Sequence, residues 1–296
     1  MIKLVVRAKK DADALKACLS RFYEDWSITV YTLKGVRSAD KVLDRLSEIL
    51  DEESFTIVLL GREEKYLKSI EENLPLNVVV HVLPKARVRN TRIIQIAREI
   101  ERAKSVLRTS VYWNNAYVFY HRVRGGMKLS IKNEPAYDLF LGLGDRFLNN
   151  LEKVLGEKIP PIPLLVRKFG GEHDVFSGPR LVGYLKIPDL GKPSGEILST
   201  DFYEVSVDDL LKSNDTYLKL FEKIALALLR RLPGFDNIIV PWSAGKDSTA
   251  ALLLAVRAYG VKRITAVYVD TGVDFPCNLE YVEKVSKRLG VRLEVA

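Results

Sequence analysis

The stretch that decides the reading is Asp236–Ser248, DNIIVPWSAGKDS, close to the end of a 296-residue chain. Asn237-Ile238-Ile239-Val240 is a short apolar run that predicts a buried strand. A polar loop follows, Ser243-Ala244-Gly245-Lys246-Asp247-Ser248, and then Thr249–Tyr259, rich in Ala and Leu, predicts a helix stopped by Gly260. A strand feeding a small-residue loop and a helix N-terminus has the makings of an anion site. The first-turn N–H groups lack partners inside the helix, and the macrodipole adds partial positive charge. Ser243 and Ser248 bring hydroxyl donors, Lys246 a full positive charge, and Gly245 a backbone that a ligand can approach closely. The spacing is not that of a Walker A loop, which needs four residues between its first Gly and the Gly-Lys pair.

Further along, Ile264–Val269 predicts a second buried strand, ending in Asp270-Thr271-Gly272-Val273-Asp274-Phe275-Pro276. Leu279, Val282, Val285 and Leu289 form a helical face stopped by Gly290, and Val291–Val295 begins a third strand. With both motifs in view, the hexapeptide SAGKDS resembles the SGGKDS-type loop of the PP-loop, or adenine nucleotide α-hydrolase-like, superfamily. Ala244 stands where many members carry Gly. The VDTGxxFP run after the second strand resembles the phosphoadenosine phosphosulfate (PAPS) reductase branch, whose near relatives, the ATP sulfurylase small subunits, carry a related but different run. The resemblance covers about residues 215–296.

That resemblance implies a parallel-sheet, Rossmann-like (HUP-like) PP-loop domain that binds an adenine nucleotide: ATP, or adenylyl sulfate or PAPS as substrate. Open parallel sheets bind ligands beyond the carboxyl ends of their strands, so both loops should border one crevice. Ser243, Ala244, Gly245, Lys246, Asp247 and Ser248 would hold a phosphate, pyrophosphate or sulfate group. Asp270, Thr271, Gly272, Phe275 and Pro276 would lie along the adenosine. Most members of the superfamily cleave ATP between its α and β phosphates, and there Lys246 would stabilise charge on the departing pyrophosphate. Asp247 would place a Mg²⁺, orient Lys246 or cap the helix. The reductase branch instead binds adenylyl sulfate or its 3′-phosphate and lets a cysteine near its C-terminus attack sulfur. Cys277, at a helix start where the family usually has an acidic residue, is the one cysteine near the site; a buried, inert thiol is the competing reading.

The leading expectation is thus reduction of (phospho)adenylyl sulfate or a related sulfur transfer by an oxidoreductase. An ATP pyrophosphatase that adenylates RNA or a small molecule, as in tRNA thiolation, is an alternative. A nucleotide-binding subunit without turnover is another. Members of the family continue through further strands after the third, so a partner chain or self-association completing the sheet is expected.

Composition bounds these readings. Hydrophobic residues make up 47% and charged residues 28%, as in a soluble globular protein. No apolar run approaches the length of a membrane span, and MIKLVVRAKK at the N-terminus has no signal-peptide core, so the expected location is cytoplasmic. Net charge +8 and a pI near 9.3 favour an anionic partner. Cys18 and Cys277, the two cysteines, cannot build a zinc or iron–sulfur site within one chain. His81, His121 and His173 lack metal-ligand spacing, His173 reading as part of a surface loop, so no metal centre is expected. Few Cys, Met and Gln beside many Lys, Arg and Glu point to a thermophile.

The remaining chain divides into residues 1–84, 85–204 and 205–296. Residues 1–84 alternate strand-like runs (Ile2–Arg7, Ser27–Leu33, Phe55–Gly61, Asn77–Leu83) with helical patterns over 11–26, 38–50 and 63–73. This predicts a small α/β domain with a mostly parallel sheet and no Gly-rich phosphate loop. Residues 85–108 predict a basic amphipathic helix; Tyr112, Trp113, Tyr117, Phe119 and Tyr120 follow, and then Arg122, Arg124, Lys128 and Lys132. Basic residues mixed with aromatics are the material for tracking RNA and stacking on its bases, but no defined RNA-binding signature is present, and a solvated helix followed by core aromatics is the favoured reading. Gly142-x-Gly144 is no dinucleotide fingerprint, since Phe147 stands at the third Gly. Residues 164–205 predict a β-rich module. Ser213-Asn214-Asp215 offer caps for a helix over 216–232.

Overall fold

The computed structural model describes residues 2–24, 26–123, 125–273 and 276–296. It divides into two compact units, Ile2–Lys219 and Leu220–Ala296. The sequence-level borders at 84/85 and 204/205 both fall within the first unit. The α/β class anticipated from the sequence, with a C-terminal parallel sheet behind an α/β and a β-rich region, is the architecture observed.

The first unit opens with β1 (Ile2–Val6), α1 (Lys9–Phe22), β2 (Ile28–Thr32), α2 (Ala39–Ser47), β3 (Phe55–Leu60) and β4 (Val78–Val82). Their sheet is parallel throughout, in the order β2-β1-β3-β4. Continuous apolar runs form these strands because both faces are covered. Leu4, Val6, Ile57 and Leu59 pack on one side with Leu15 and Cys18 of α1 and with Ile96 and Ile100 of α3 (Ile93–Thr109). Val5, Val58 and Leu60 pack on the other with Val42, Leu46, Leu67 and Ile70. Two helical expectations are corrected in form. Arg62–Asn73 winds as a 3₁₀ helix, and of residues 85–108 the α-helix proper begins at Ile93, after a 3₁₀ turn at Val88–Asn90.

Short strands β5 (Tyr112–Trp113), β6 (Tyr117–Val118) and β7 (Met127–Lys128) form a small antiparallel sheet. Then come β8 (Asp138–Leu141), α4 (Asp145–Leu155), β9 (Leu164–Arg167), β10 (Glu172–Ser177), β11 (Arg180–Lys186) and β12 (Ser194–Ile197), whose five strands pair antiparallel in the order β12-β11-β10-β9-β8. His173 is buried in β10 rather than placed in a surface loop; its Nδ1 lies 2.9 Å from the Gly171 carbonyl, and burial lowers its pKa. The aromatics at 112–120 turn inward: Tyr117 is fully buried, Trp113 meets Tyr117 and Tyr203 edge to face, and Tyr120 meets Tyr217.

Helix α5 spans Val207–Arg230, so the expected start at residue 216 is corrected by nine residues. Ser206 makes the N-terminus, its Oγ accepting the Asp209 N–H at 3.0 Å while donating to the Asp209 carboxylate at 2.6 Å. Asn214, proposed as a cap, sits inside the helix and bonds the backbone of Tyr117, Phe119 and Leu210 instead.

In the second unit β13 (Ile238–Pro241), α6 (Lys246–Tyr259), β14 (Ile264–Tyr268), α7 (Pro276–Leu289) and β15 (Arg292–Val295) form a parallel sheet in the order β13-β14-β15. Alternation decides its faces: Val240, Ile264, Ala266 and Tyr268 are buried with Leu252, Ala255 and Val282, whereas Ile239 is 68% exposed. Among the described residues no helix is long and apolar enough to cross a membrane.

Candidate functional site

Strand β13 ends at Pro241, and the chain turns through Trp242–Gly245 into α6. Trp242 anchors that turn. Its backbone N–H donates to the Val267 carbonyl at 2.8 Å, extending the β13–β14 ladder by one residue. Its indole Nε1–H donates to Thr249 Oγ1 at 2.9 Å, and its ring, 2% exposed, lies 6.0 Å from that of Tyr281 on α7. The loop beyond it is therefore tied to the neighbouring strand, to α6 and to α7 through one residue, by its backbone to the strand and by its indole to the two helices. Trp242 belongs to no motif in the sequence; the signal it carries there is a large aromatic between an apolar strand and a small-residue loop.

The loop itself is open to solvent at Ser243, Gly245, Lys246 and Asp247. Ala244 adopts a left-handed backbone, φ 61°, which turns the chain back so that Ser243 and Ser248 face each other. Their hydroxyl oxygens lie 3.1 Å apart, and the Ser243 N–H donates to Ser248 Oγ at 3.2 Å. Gly245 is the N-cap of α6 and no side chain caps that end, so the helix-start amides are not claimed by a capping oxygen. A Cβ built on Gly245 would stand 3.4 Å from Ser243 Oγ and 4.0 Å from Ser248 Oγ. Glycine thus leaves bare backbone beside the two hydroxyls, at the positive end of a 14-residue helix.

Lys246 and Asp247 are the first two helical residues. The Lys246 ammonium donates to both carboxylate oxygens of Asp247, at 3.1 and 3.2 Å. This contact sets the Asp247 carboxylate beside the Lys246 ammonium. A cap it is not, since the cap position is Gly245.

The second loop leaves the adjacent, parallel strand β14, so it emerges at the same end of the sheet. The Asp270 N–H donates to the Ala296 carbonyl at 2.8 Å, and the Asp270 carboxylate accepts the Gly272 N–H at 2.9 Å, closing an Asx turn over Gly272, whose φ is 73°. Thr271, Gly272 and Val273 are exposed. Phe275 lies outside the described residues, and Pro276 opens α7. Cys277 follows in the first turn of α7 and is exposed, which corrects the buried-thiol reading. Among the described residues no group of three or more His, Cys, Asp or Glu stands together as a metal site.

Comparison with known proteins now bears on this end of the chain. Residues 237–296 match the phosphoadenosine phosphosulfate reductase domain. The match begins at the first residue of the predicted strand and includes both loops. Sulfate adenylyltransferase subunit 2 of Streptomyces lavendulae is 34% identical over 84 residues, covering 27% of this chain and 26% of the relative. The same subunit from Saccharophagus degradans is 35% identical over 83 residues, with 27% of each covered. An uncharacterized protein of Methanocaldococcus jannaschii is 30% identical over 97 residues, 31% of this chain and 20% of the relative. The chain therefore spans about a quarter or less of the length of these relatives. The C-terminal region is PAPS-reductase-like, with distant similarity to sulfate adenylyltransferase subunits.

Proposed function

We propose that residues 220–296 bind an adenine nucleotide, with its phosphate, pyrophosphate or sulfate end in Ser243–Ser248 and its adenosine along Asp270–Pro276. The observation that carries this reading is the uncapped helix start at Gly245, where the backbone lies bare beside two serine hydroxyls and an added methyl would occupy the space next to them. Lys246 adds the charge that a phosphoanhydride end requires. Where Mg²⁺ accompanies the nucleotide, Asp247 is the carboxylate at hand to meet it.

The loop's own groups hold an oxyanion and supply no nucleophile. They suit adenylyl chemistry on sulfate or a related acceptor, in which an acceptor oxygen attacks the α-phosphorus of ATP and pyrophosphate departs into the loop. The similarity to sulfate adenylyltransferase subunits supports this direction. Thiol-driven reduction of (phospho)adenylyl sulfate is the second reading, favoured by the VDTGxxFP run and by Cys277, exposed at the helix start that follows that run.

Calorimetry with ATP, adenylyl sulfate and PAPS tests the binding. Lys246→Ala and Gly245→Ala should each weaken the best ligand by about tenfold or more, roughly 1.4 kcal/mol. Unchanged affinity in both variants would remove the loop from the site. Pyrophosphate release from ATP with sulfate present, against sulfite release from adenylyl sulfate with a thiol, separates the two chemistries.

A further inference from the structure

The sheet of the first unit reverses its order at β1: β2 lies on one side of it, β3 and then β4 on the other. Open parallel sheets take ligands beyond their carboxyl ends at such a reversal. A cavity of about 160 Å³ stands there, lined by Arg7, Arg37, Glu63, Glu64, Tyr66 and Arg87. Arg7 follows β1, Arg37 follows β2, Glu63, Glu64 and Tyr66 follow β3, and Arg87 follows β4, so each strand of the sheet delivers a residue from its carboxyl end.

Arg7 is the most deeply set of the arginines, at 8% exposure. Its Nε pairs with the buried Glu64 carboxylate, and its Nη1 donates to the Gly35 carbonyl at 3.3 Å. Glu64 is itself held by the Gly61 N–H, at 2.8 Å. Among the described residues nothing accepts a hydrogen bond from Arg7 Nη2 or from the Arg37 guanidinium. A buried Arg–Glu pair adds little stability over apolar side chains of the same size. What this one does is hold a guanidinium in place at a cavity with a donor left over. Arg87 is tied on one edge by Glu63, at 2.8 Å, so the lining sets three arginines against two glutamates.

Helix α1 starts two residues after Arg7, and no side chain caps it at Ala8. Its first two residues are Lys9 and Lys10. Cations at the positive end of a helix are disfavoured by the macrodipole. An anion bound beside that end would reverse the sign of the interaction.

We propose that this cavity is a second, separate anion site, which takes the phosphoryl group of a small phosphomonoester while the rest of the ligand runs past the exposed ring of Tyr66. Three guanidinium groups and a helix start favour a doubly charged phosphoryl group over a singly charged carboxylate. At about 160 Å³ the cavity holds that group and a few further atoms, not a whole nucleotide.

The test is a ¹H–¹⁵N NMR titration of the full chain with inorganic phosphate, and with acetate at matched ionic strength. The signals followed are the Arg7 Nε–Hε peak and the Gly35 and Gly61 amides. Phosphate should shift them with saturation and acetate should not. The Arg37→Ser/Arg87→Ser double variant, altered at two side chains outside the core, should raise the apparent Kd for phosphate by about tenfold or more. The amides of Ser243–Ser248 report the other loop separately, so failure of either site is visible by itself. Unmoved Arg7 and Gly61 signals, equal shifts with acetate, or an unchanged Kd in the double variant would each overturn the proposal.

Discussion

Ala244 carries the most strained backbone of the phosphate-type loop, since a left-handed conformation costs an L-residue about 1–2 kcal/mol at its φ of 61°. Glycine removes that strain but loses roughly 0.5–1 kcal/mol through unfolded-state entropy. Ala244→Gly should therefore stabilise the chain slightly, by about 0.5 kcal/mol, and leave nucleotide affinity equal or higher. A clear drop in unfolding midpoint would show that position 244 is not left-handed. The resemblance to the PP-loop superfamily, many of whose members carry Gly at this position, lets alanine pass there on size. Backbone dihedral, which the letters do not carry, is the property that alanine strains. His121 gives a second residue-scale prediction. Burial, with Arg122 adding to it, lowers its pKa from 6.5 to about 4; Glu71 acts the other way, as does the Val78 carbonyl 3.0 Å from Nε2. Between those two values the unfolded chain binds a proton that the folded chain refuses. Stability from this group is therefore intact above pH 6.5 and lost as pH falls toward 4, by at most about 3 kcal/mol. Unfolding midpoints of wild type and His121→Phe across that window should converge as the pH drops. Parallel curves would contradict the buried, neutral imidazole.

Helix α5 shows what a single element hides from its own sequence. Ser206 and Asp209 form the N-terminal pair, and removing the hydroxyl in Ser206→Ala should lower stability by about 1 kcal/mol, measured by denaturant unfolding. Ser213→Ala, inside the helix, should change it by no more than a few tenths; the reverse ranking would restore the expected start at residue 216. The polar run Ser213-Asn214-Asp215 reads as a cap because such residues usually end helices. Here Asn214 is satisfied by the Phe119 N–H and the Tyr117 carbonyl, partners almost a hundred residues away, and no local pattern announces them. The strands of the first unit's parallel sheet were legible for the opposite reason. Their runs are apolar on successive residues because both faces of β1 and β3 are covered, and that signal is local. Residues 62–73 fall between these cases: periodicity gave a helix, but not the 3₁₀ winding that distinguishes it from the α form.

At the scale of the whole chain, the division into Ile2–Lys219 and Leu220–Ala296 decides how a ligand should be felt. A ligand that binds only the folded form adds RT ln(1 + [L]/Kd) to the stability of the unit that holds it, about 2.7 kcal/mol at a hundred times Kd. If each unit opens as its own cooperative block, that increment slows hydrogen exchange roughly a hundredfold in the core amides of the liganded block alone. Saturating ATP should therefore protect the amides of Trp242, Thr249 and Ala296, whose hydrogen bonds to Val267, Gly245 and Tyr268 define the second unit. Amides of the β8–β12 sheet, such as Val175 and Val182 in its centre, should exchange at the same rate with and without nucleotide. Equal slowing in both sets would mean that the chain opens as one cooperative whole. Slowing confined to β8–β12 would move the nucleotide away from Ser243–Ser248 and return those residues to the role of an ordinary strand-to-helix turn.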